Sequence, residues 1–333
     1  MFTPVETALG ALLLHQATTT LLFNNGSILG VSGFLRKLLG NRTFDAPGLF
    51  LLGMGAAYIP LRIFAPEHLP HYLPGAGATL HSALLALISG ALTGWGTKSC
   101  NGCTSGHMLS GLSRLSPRSL VATATFFTTA FTTFHLAYPS LETPGCHSGH
   151  SSVPCYTPEY PSRRETVALV GLTAGAIGAV RTLPRALAGS VAPEKTTAVI
   201  TGLTFGLGLL ISGMADPAKV QGFFALGLRP FDASRWDPSL SLVILCGILP
   251  NLVAIQMSGG LEACKPAYCE GWNFPIAPGW DVDAKFLLGA VVFGISWGLS
   301  GVCPGPAVMR SVLQPLWGAE WLLGYWAGGV FLQ

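Results

Sequence analysis

Long apolar stretches separated by short polar loops dominate the chain. A bilayer core requires about 20 consecutive apolar residues in a helix, and nine stretches reach or approach that length. They lie at residues 5–23, 46–64, 78–96, 119–137, 166–183, 196–213, 240–257, 285–301 and 319–332. The pattern predicts an all-α polytopic membrane protein with about nine transmembrane helices.

Four shorter, moderately apolar segments follow such stretches directly. Each is about 10 residues long, which is too short to cross a bilayer, and Ser, Thr, Asp or Pro stands at its start, as is typical of helix N-termini. The segments lie at residues 28–39, 106–115, 218–226 and 305–313. We therefore predict four half-helices whose N-termini point into the membrane interior.

The half-helices form two pairs of similar sequence, separated by roughly 190–200 residues. Residues 21–34 resemble residues 209–223, and residues 94–115 resemble residues 294–313. This spacing is typical of a duplicated transporter half. We predict a first membrane repeat at residues 1–137, an external loop and linker helix at 138–194, and a second repeat at 195–333. With one linker helix, the second repeat begins after an odd number of crossings, so the repeats are predicted to be inverted.

Composition supports the membrane assignment and excludes other classes. Hydrophobic residues make up 50% of the chain and charged residues 10%, whereas soluble domains carry about 25% charged residues. The net charge of +3 is too small to indicate a nucleic-acid partner. The sequence contains neither a G-x-x-x-x-G-K-[ST] phosphate loop nor a string of intramembrane acids. It therefore offers no energy source for transport.

Basic residues predict the orientation. Ten basic residues fall on one side of the predicted spans and five on the other, with Lys219 unassigned. Basic residues are enriched in cytoplasmic loops, so we expect the N-terminus outside, in a multi-pass protein of the plasma membrane. Residues 1–14 have no basic region, so the first helix is expected to be retained rather than cleaved as a signal peptide.

A cysteine opens one half-helix in each predicted repeat. Cys103 follows Gly102 and precedes Thr104, and Cys303 follows Gly301 and Val302. Free N–H groups and the positive end of the helix dipole favour anions at such a position. A thiol is polarisable and donates a weak hydrogen bond, which suits a soft sulfur-containing anion. A lone buried cysteine is commonly a small apolar residue, but its repetition in both repeats favours a functional role.

Further candidates surround these two thiols. Cys100 and Cys103 form a C-x-x-C pair, and Asn24 and Asn25 occupy the corresponding break in the first repeat. Asp216 before Pro217 is interpreted as a helix N-cap. No catalytic residue, metal site or cofactor is expected. The residues predicted to line a substrate pathway are Cys103, Cys303, Cys100, Asn24, Asn25, Gly102, Thr104, Ser105, Gly106, His107, Ser212, Gly213, Met214, Gly301 and Pro304.

Two further pairs of cysteines lie in predicted loops. Cys146 and Cys155 fall in the external loop, where a disulfide is possible. Cys264 and Cys269 fall on the opposite side, where a cytosol would keep them reduced.

The motif from Gly102 to His107, continued by residues 111–119, resembles the signature of the YeeE/YedE sulfur-transport family. Residues 206–220 and 301–306 resemble the second repeat of that family. The resemblance implies an hourglass-shaped helical protein that passes thiosulfate inward, with Cys103 and Cys303 as thiols at the waist. Many members carry a further cysteine where this chain has Asn24 and Asn25. The corresponding role then falls to Cys100 or to an Asn side chain, or is absent.

Three functional hypotheses follow. The first is a transporter or channel-like permease for thiosulfate or a similar sulfur anion. The second is a membrane thiol oxidoreductase or sulfurtransferase that uses Cys100 and Cys103. The third is a soft-metal permease. The sequence leaves the anion preference, the energy coupling and the oligomeric state open.

Overall fold

The computed structural model describes residues 1–41, 44–72, 79–138, 153–228, 231–276 and 279–331. Their regular secondary structure is helical, apart from a two-residue antiparallel pairing of Gly227–Leu228 (β1) with Phe231–Asp232 (β2). The α-helices are α1 (Pro4–Asn25), α2 (Val31–Asn41), α3 (Ala46–Ala56), α4 (Tyr58–Phe64), α5 (Leu80–Ser99), α6 (Pro117–Ala137), α7 (Arg163–Ala186), α8 (Pro193–Ile211), α9 (Pro217–Phe224), α10 (Ser239–Val243), α11 (Leu249–Met257), α12 (Ala284–Ser300), α13 (Pro304–Leu313) and α14 (Pro315–Phe331). The all-α polytopic fold class is thus confirmed.

Each of the nine predicted spans falls on helical structure. Within the described ranges, five helical stretches are long and apolar enough to cross a membrane, and α12 with α13, bent by 40°, is a sixth. The five are Ala46–Phe64, Pro117–Ala137, Arg163–Ala186, Pro193–Ile211 and Ser239–Met257. Helices α1 and α5 are less apolar because they carry polar side chains such as Glu6 and Thr93, which are buried inside the protein. That placement is expected of polar groups in a membrane protein.

The predicted half-helices are all present as helical segments, with one difference in type. Segments 28–39, 218–226 and 305–313 correspond to α2, α9 and α13. Segment 106–115 is instead a π-helix at Thr104–Gly111 followed by a 3₁₀ turn at Leu112–Arg114. A second π-helical segment, Ile244–Ile248, joins α10 to α11. π-Helices are uncommon and occur frequently at functional sites.

Each of the four helices that precede a half-helix ends near a residue in the left-handed conformation. The residues are Gly26 after α1, Asn101 after α5, Gly213 after α8 and Gly301 after α12, with φ of 58°, 58°, 73° and 66°. Glycine adopts this conformation without a Cβ clash, and Asn tolerates it better than most residues. A left-handed residue terminates a helix and turns the chain, so these positions set the breaks.

The central helices pair in opposite directions. On α1 and α8, Thr7 Oγ1 donates to the Ser212 carbonyl at 3.5 Å, whereas Asn25 Nδ2 donates to the Glu194 carbonyl at 2.9 Å. The early part of α1 therefore faces the end of α8, and the two helices are antiparallel. On α5 and α12, Thr93 Oγ1 and Ser296 Oγ lie 2.9 Å apart.

Glycines allow the backbones of α5 and α14 to touch. A Cβ on Gly90 or Gly94 would overlap the carbonyl oxygen of Trp321 or Tyr325, and one on Gly324 would overlap that of Leu87. Helix association inside a bilayer depends on close van der Waals packing, which small residues make possible. This contact therefore stabilises the position of α5, which leads into the π-helix.

We expect Gly90→Ala to lower the thermal stability of the protein in detergent, because the added methyl group would overlap the α14 backbone. Overpacking of this kind costs about 1–3 kcal/mol. The control is Gly175→Ala on α7, where a Cβ meets no atom within 4 Å. Fluorescence-detected size-exclusion chromatography after heating measures both. Equal melting temperatures for the two variants would contradict the tight α5–α14 contact.

Candidate functional site

The π-helix and α13 begin next to each other. Thr104 Oγ1 donates a hydrogen bond to Cys303 Sγ at 3.3 Å, and Cys103 Sγ lies 3.2 Å from Ser105 Oγ. Cys103 is the residue before the π-helix, and Cys303 is the residue before α13. The Thr104–Cys303 bond therefore joins the starts of the two half-helices that carry the predicted thiols.

The start of α13 has few backbone donors. Pro304 and Pro306 have no N–H group, and the Ala307 N–H is bonded to the Cys303 carbonyl at 3.0 Å. The Gly305 N–H remains in the first turn, and it interacts with the Cys303 thiol. Because prolines replace two potential donors, an anion at this end would rely on the thiol, the Gly305 N–H and the helix dipole.

A buried histidine holds the loop before the π-helix. His107 Nε2 lies 2.9 Å from the Cys100 carbonyl oxygen, and Nδ1 lies 3.1 Å from Ser119 Oγ on α6. A Cβ on Gly102 would lie 2.6 Å from His107 Nε2, so glycine is required beside the ring. His107 thus fixes the C-x-x-C loop against α6.

The other two half-helices join the same assembly. The Val31 N–H at the start of α2 donates to Ser105 Oγ at 3.1 Å. Gln221 on α9 donates through Nε2 to the Leu299 carbonyl at 2.9 Å, and a Cβ on Gly301 would lie 2.5 Å from the Pro217 carbonyl oxygen. Contacts therefore join α2 to the π-helix, the π-helix to the start of α13, and α9 to the end of α12 and the break before α13.

A small cavity of about 60 Å³ lies where the π-helix and α13 meet, and we call it the Cys303 cavity. Thr104, Ser105 and Cys303 supply its polar lining, and Met108 and Met214 add thioether sulfurs. The rest of the lining is apolar, with Phe205 and Trp297 among its side chains. The cavity combines soft sulfur groups with few hydrogen-bond donors.

A larger cavity of about 340 Å³, the Lys219 cavity, lies beside it. Gly213 and Lys219 line it, together with two histidines, two aspartates and two glutamates: His68, His71, Asp216, Asp237, Glu6 and Glu67. Lys219 Nζ contacts Thr3 Oγ1. The Asp216 carboxylate caps α9 by accepting from the Ala218 N–H at 2.9 Å, so the predicted N-cap role of Asp216 is confirmed.

A third cavity of about 360 Å³, the Arg114 cavity, lies on the opposite side of the half-helices. Arg36, Lys37, Arg114 and Arg118 line it, and its described lining contains no acidic side chain. The Arg114 guanidinium stacks over the Phe274 ring at 4.6 Å. The cavity is strongly cationic, and such a surface attracts anions.

Consecutive residues of the chain line neighbouring cavities. Gly213 and Ala215 line the Lys219 cavity, whereas Met214 between them lines the Cys303 cavity. Ser105 lines the Cys303 cavity, whereas Gly106 lines the Arg114 cavity. The three spaces are therefore arranged in series, with the Cys303 cavity in the middle.

The predicted site residues divide among these regions. Thr104, Ser105, Cys303 and Met214 line the Cys303 cavity, and Gly102, Gly106 and His107 line the Arg114 cavity. Gly213 lines the Lys219 cavity, and Gly301 and Gly213 form backbone breaks. Ser212 and Pro304 are buried beside those breaks. Cys103 is 1% exposed and lines none of the three cavities, although Gly102 before it lines the Arg114 cavity and Thr104 after it lines the Cys303 cavity.

Three of the predicted pathway residues, Cys100, Asn24 and Asn25, form hydrogen bonds to other groups of the protein. Cys100 is fully buried, and its Sγ donates to the Gly102 carbonyl at 3.2 Å. Asn25 bonds to the start of α8, and Asn24 Nδ2 lies 3.5 Å from Thr197 Oγ1. A pathway role for these three residues stays a prediction. Cys155 is buried, but Cys146 lies outside the described residues, so their disulfide also stays a prediction.

Sequence reasoning missed the charged linings. Arg36, Arg114 and Arg118 are among the ten basic residues counted on one side for the orientation, but their sharing of one cavity was not expected. Glu6 lies at the beginning of α1 and was not singled out, although an acid in a predicted span is a signal of function. Among the described residues, no three His, Cys, Asp or Glu side chains are grouped as a metal site would require.

Two protein families match parts of the chain. Residues 73–132 match the sulphur transport family, and residues 195–316 match a family of unknown function, DUF6691. A probable transporter of Xylella fastidiosa strain 9a5c is 31% identical over 113 residues, which are 34% of this chain and 71% of the relative. A second probable transporter of that strain is 35% identical over 127 residues, which are 38% of this chain and 88% of the relative.

We expect the thiols of Cys303 and Cys100 to differ in reactivity, because Cys303 is partly exposed and lines a cavity, whereas Cys100 is fully buried. In variants that retain one of these cysteines, Cys303 should react with methyl methanethiosulfonate at least about tenfold faster than Cys100, because labelling of a buried thiol requires local opening that costs ~1.4 kcal/mol or more. Mass spectrometry of timed samples measures the rates. Faster labelling of Cys100 would contradict the geometry.

Proposed function

Because the chain belongs to the YeeE/YedE family of sulfur transporters, we propose that it imports thiosulfate or a related small sulfur-containing anion. The anion moves from the Lys219 cavity through the Cys303 cavity to the Arg114 cavity. The thiols of Cys303 and Cys103 lie at the constriction. The bond from Thr104 Oγ1 to Cys303 Sγ at 3.3 Å is the observation that carries the proposal, because it brings both half-helix starts to one cavity.

The Cys303 cavity suits an anion that is held briefly. Its volume of about 60 Å³ is small, so an anion must leave most of its hydration shell to occupy it. The Cys303 thiol, the Thr104 hydroxyl and the Gly305 N–H replace part of that shell with weak donors. Conduction requires a site that binds well enough to be occupied and weakly enough to release, and thiols meet both requirements better than a cation would.

The basic side chains of the Arg114 cavity then favour release of the anion from the Cys303 cavity. Arg114 and Arg118 line the next cavity without a described acidic partner in its lining. We assign this cavity to the cytoplasm, since basic residues are enriched there, and the N-terminus to the outside. Against an inside-negative potential, a dianion costs about 4.6 kcal/mol per 100 mV to import, twice the value for one charge. The cationic cavity lowers the local cost but does not supply that energy.

The two halves of the chain are proposed to be inverted repeats, with residues 1–137 and 195–333 on either side of the linker. Helices α1 and α8 run in opposite directions, and each is followed by a left-handed glycine and a half-helix. The matched residues are 34% of this chain and 71% of the first Xylella relative. That relative is therefore about half as long as this chain, as a single repeat would be.

The oxidoreductase or sulfurtransferase alternative would use Cys100 and Cys103 as a pair. Their thiols instead contact different partners: Cys100 Sγ donates to the Gly102 carbonyl, and Cys103 Sγ lies beside Ser105 Oγ. Intact mass under non-reducing conditions separates the two functions. A permease should carry no added sulfur, whereas a stable persulfide on Cys103 would support the alternative.

We expect Cys303→Ala and Cys103→Ala to lower thiosulfate uptake by about tenfold or more, equivalent to ~1.4 kcal/mol. The reason is the loss of thiol donors at the constriction. The assay is uptake of labelled thiosulfate by cells that lack their own transporter, with unlabelled sulfate and sulfite as competitors. The control is Cys246→Ala in the second π-helical segment, outside the lining of the three cavities.

Normal uptake by both variants, with normal amounts of protein in the membrane, would show that the thiols have no role. Equal competition by sulfate would contradict selection for a soft sulfur group.

A further inference from the structure

A buried carboxylate lines the Lys219 cavity without a hydrogen-bond partner. Glu6 on α1 is 6% exposed, and its Oε2 accepts no hydrogen bond in the described part of the chain. The other oxygen, Oε1, lies 3.9 Å from His68 Nε2. A buried carboxylate oxygen without a donor is costly, so the Glu6 side chain is suited to a partner that enters the cavity.

The Lys219 side chain supplies the matching positive charge. A Cβ on Gly213 would lie 2.7 Å from Lys219 Cδ, so the lysine stem crosses the break after α8. Met214, the next residue, lines the Cys303 cavity. Lys219 therefore lies where an anion would pass from the larger cavity to the constriction.

The charged groups around Glu6 come from several elements. Acidic groups outnumber the single lysine, so a dianion near Lys219 also lies near carboxylates and is repelled by those that are ionised. The groups that line the cavity are Glu6 and the N-terminal residue Met1, Glu67, His68 and His71 after α4, Asp216 and Lys219 at α9, and Asp237 before α10. Glu159 on the neighbouring loop also interacts with Lys219.

We propose that this cavity binds the sulfur anion at Lys219 together with a proton on Glu6, beside His68. The inference rests on the proposed function, because it assumes that a sulfur anion occupies the cavity. An anion beside Glu6 disfavours the charged carboxylate, so anion binding draws a proton from water to Glu6. By linkage, a proton on Glu6 tightens anion binding by the same factor.

The consequence is a proton bound together with each anion before the constriction. The bound proton cancels one of the two negative charges of thiosulfate in the occupied cavity. Glu6 and His68 lie on the proposed outer side of the constriction. An outside-acid pH gradient would therefore favour proton binding there, together with the anion that is to be imported. This arrangement supplies the coupling group that the sequence did not reveal.

The test is proton uptake by purified full-length protein when sodium thiosulfate is added in weakly buffered detergent solution. A pH-indicator dye reports protons at several values between about pH 5 and 8, the range in which histidine titrates. Thermal stabilisation by thiosulfate, measured on the same samples, reports anion binding. Sodium chloride at equal ionic strength is the blank.

Wild-type protein is expected to take up as much as about one proton per bound anion, through the linkage between the two sites. Glu6→Gln, which keeps the shape and removes the titrating group, should lose most of this uptake. His68→Gln is the second variant and should lower it. The matched control is Glu159→Gln, an exposed carboxylate on the neighbouring loop that does not line the cavity, and it should retain wild-type uptake.

The outcomes separate the two proposals. Thiosulfate binding without proton uptake by the wild type would overturn the proton site and leave the transport function standing. Equal losses in Glu6→Gln and Glu159→Gln would also overturn it, since the effect would then belong to the general charge of that surface. Absence of both thiosulfate binding and thiosulfate uptake by cells would instead contradict the proposed function.

Discussion

The starts of two half-helices meet at the hydrogen bond from Thr104 to Cys303. Their meeting depends on a constraint that the bilayer imposes on every backbone. Polar main-chain groups inside a membrane must be bonded within the protein or face a cavity. A helix that ends at the midplane leaves its groups unsatisfied, so its neighbours must supply partners. Here the Ser105 hydroxyl accepts from Val31, and His107 contacts the Cys100 carbonyl. The half-helices support each other, and the space left between their starts is the Cys303 cavity.

The charges on either side of that cavity differ in kind. The Arg114 cavity carries four cationic side chains, whereas the Lys219 cavity mixes one lysine with histidines and carboxylates. In the proposed pathway, the cationic cavity attracts the anion on one side of the constriction because it holds no described counter-charge. The thiol of Cys303 would contact the anion at the constriction without adding a strongly binding charge. The proposal thus assigns selection to the sulfur groups and attraction of the anion to the cationic side chains.

Much of this architecture is readable in the sequence, since length and hydropathy locate helices in a bilayer. The four half-helices were predicted from their short apolar segments, and Cys103 and Cys303 marked the starts of two of them. Asn101 was not identified as the fourth left-handed residue, and the π-helix was not foreseen because it depends on bonds from Ser105 and His107 to distant segments. Glu6 and Arg114 were missed as lining residues for the same reason. Which side chains share a cavity is decided by tertiary packing, and one sequence does not specify it.

The central claim is that a sulfur anion occupies the space beside Cys303 between the two half-helix starts. Electron cryo-microscopy of the protein in lipid nanodiscs, with and without saturating thiosulfate, tests it most directly. The account predicts new density in the Cys303 cavity, in contact with Cys303 Sγ and Thr104 Oγ1. Density that leaves this cavity empty at saturation, with the anion bound at a lipid-facing surface instead, would contradict it.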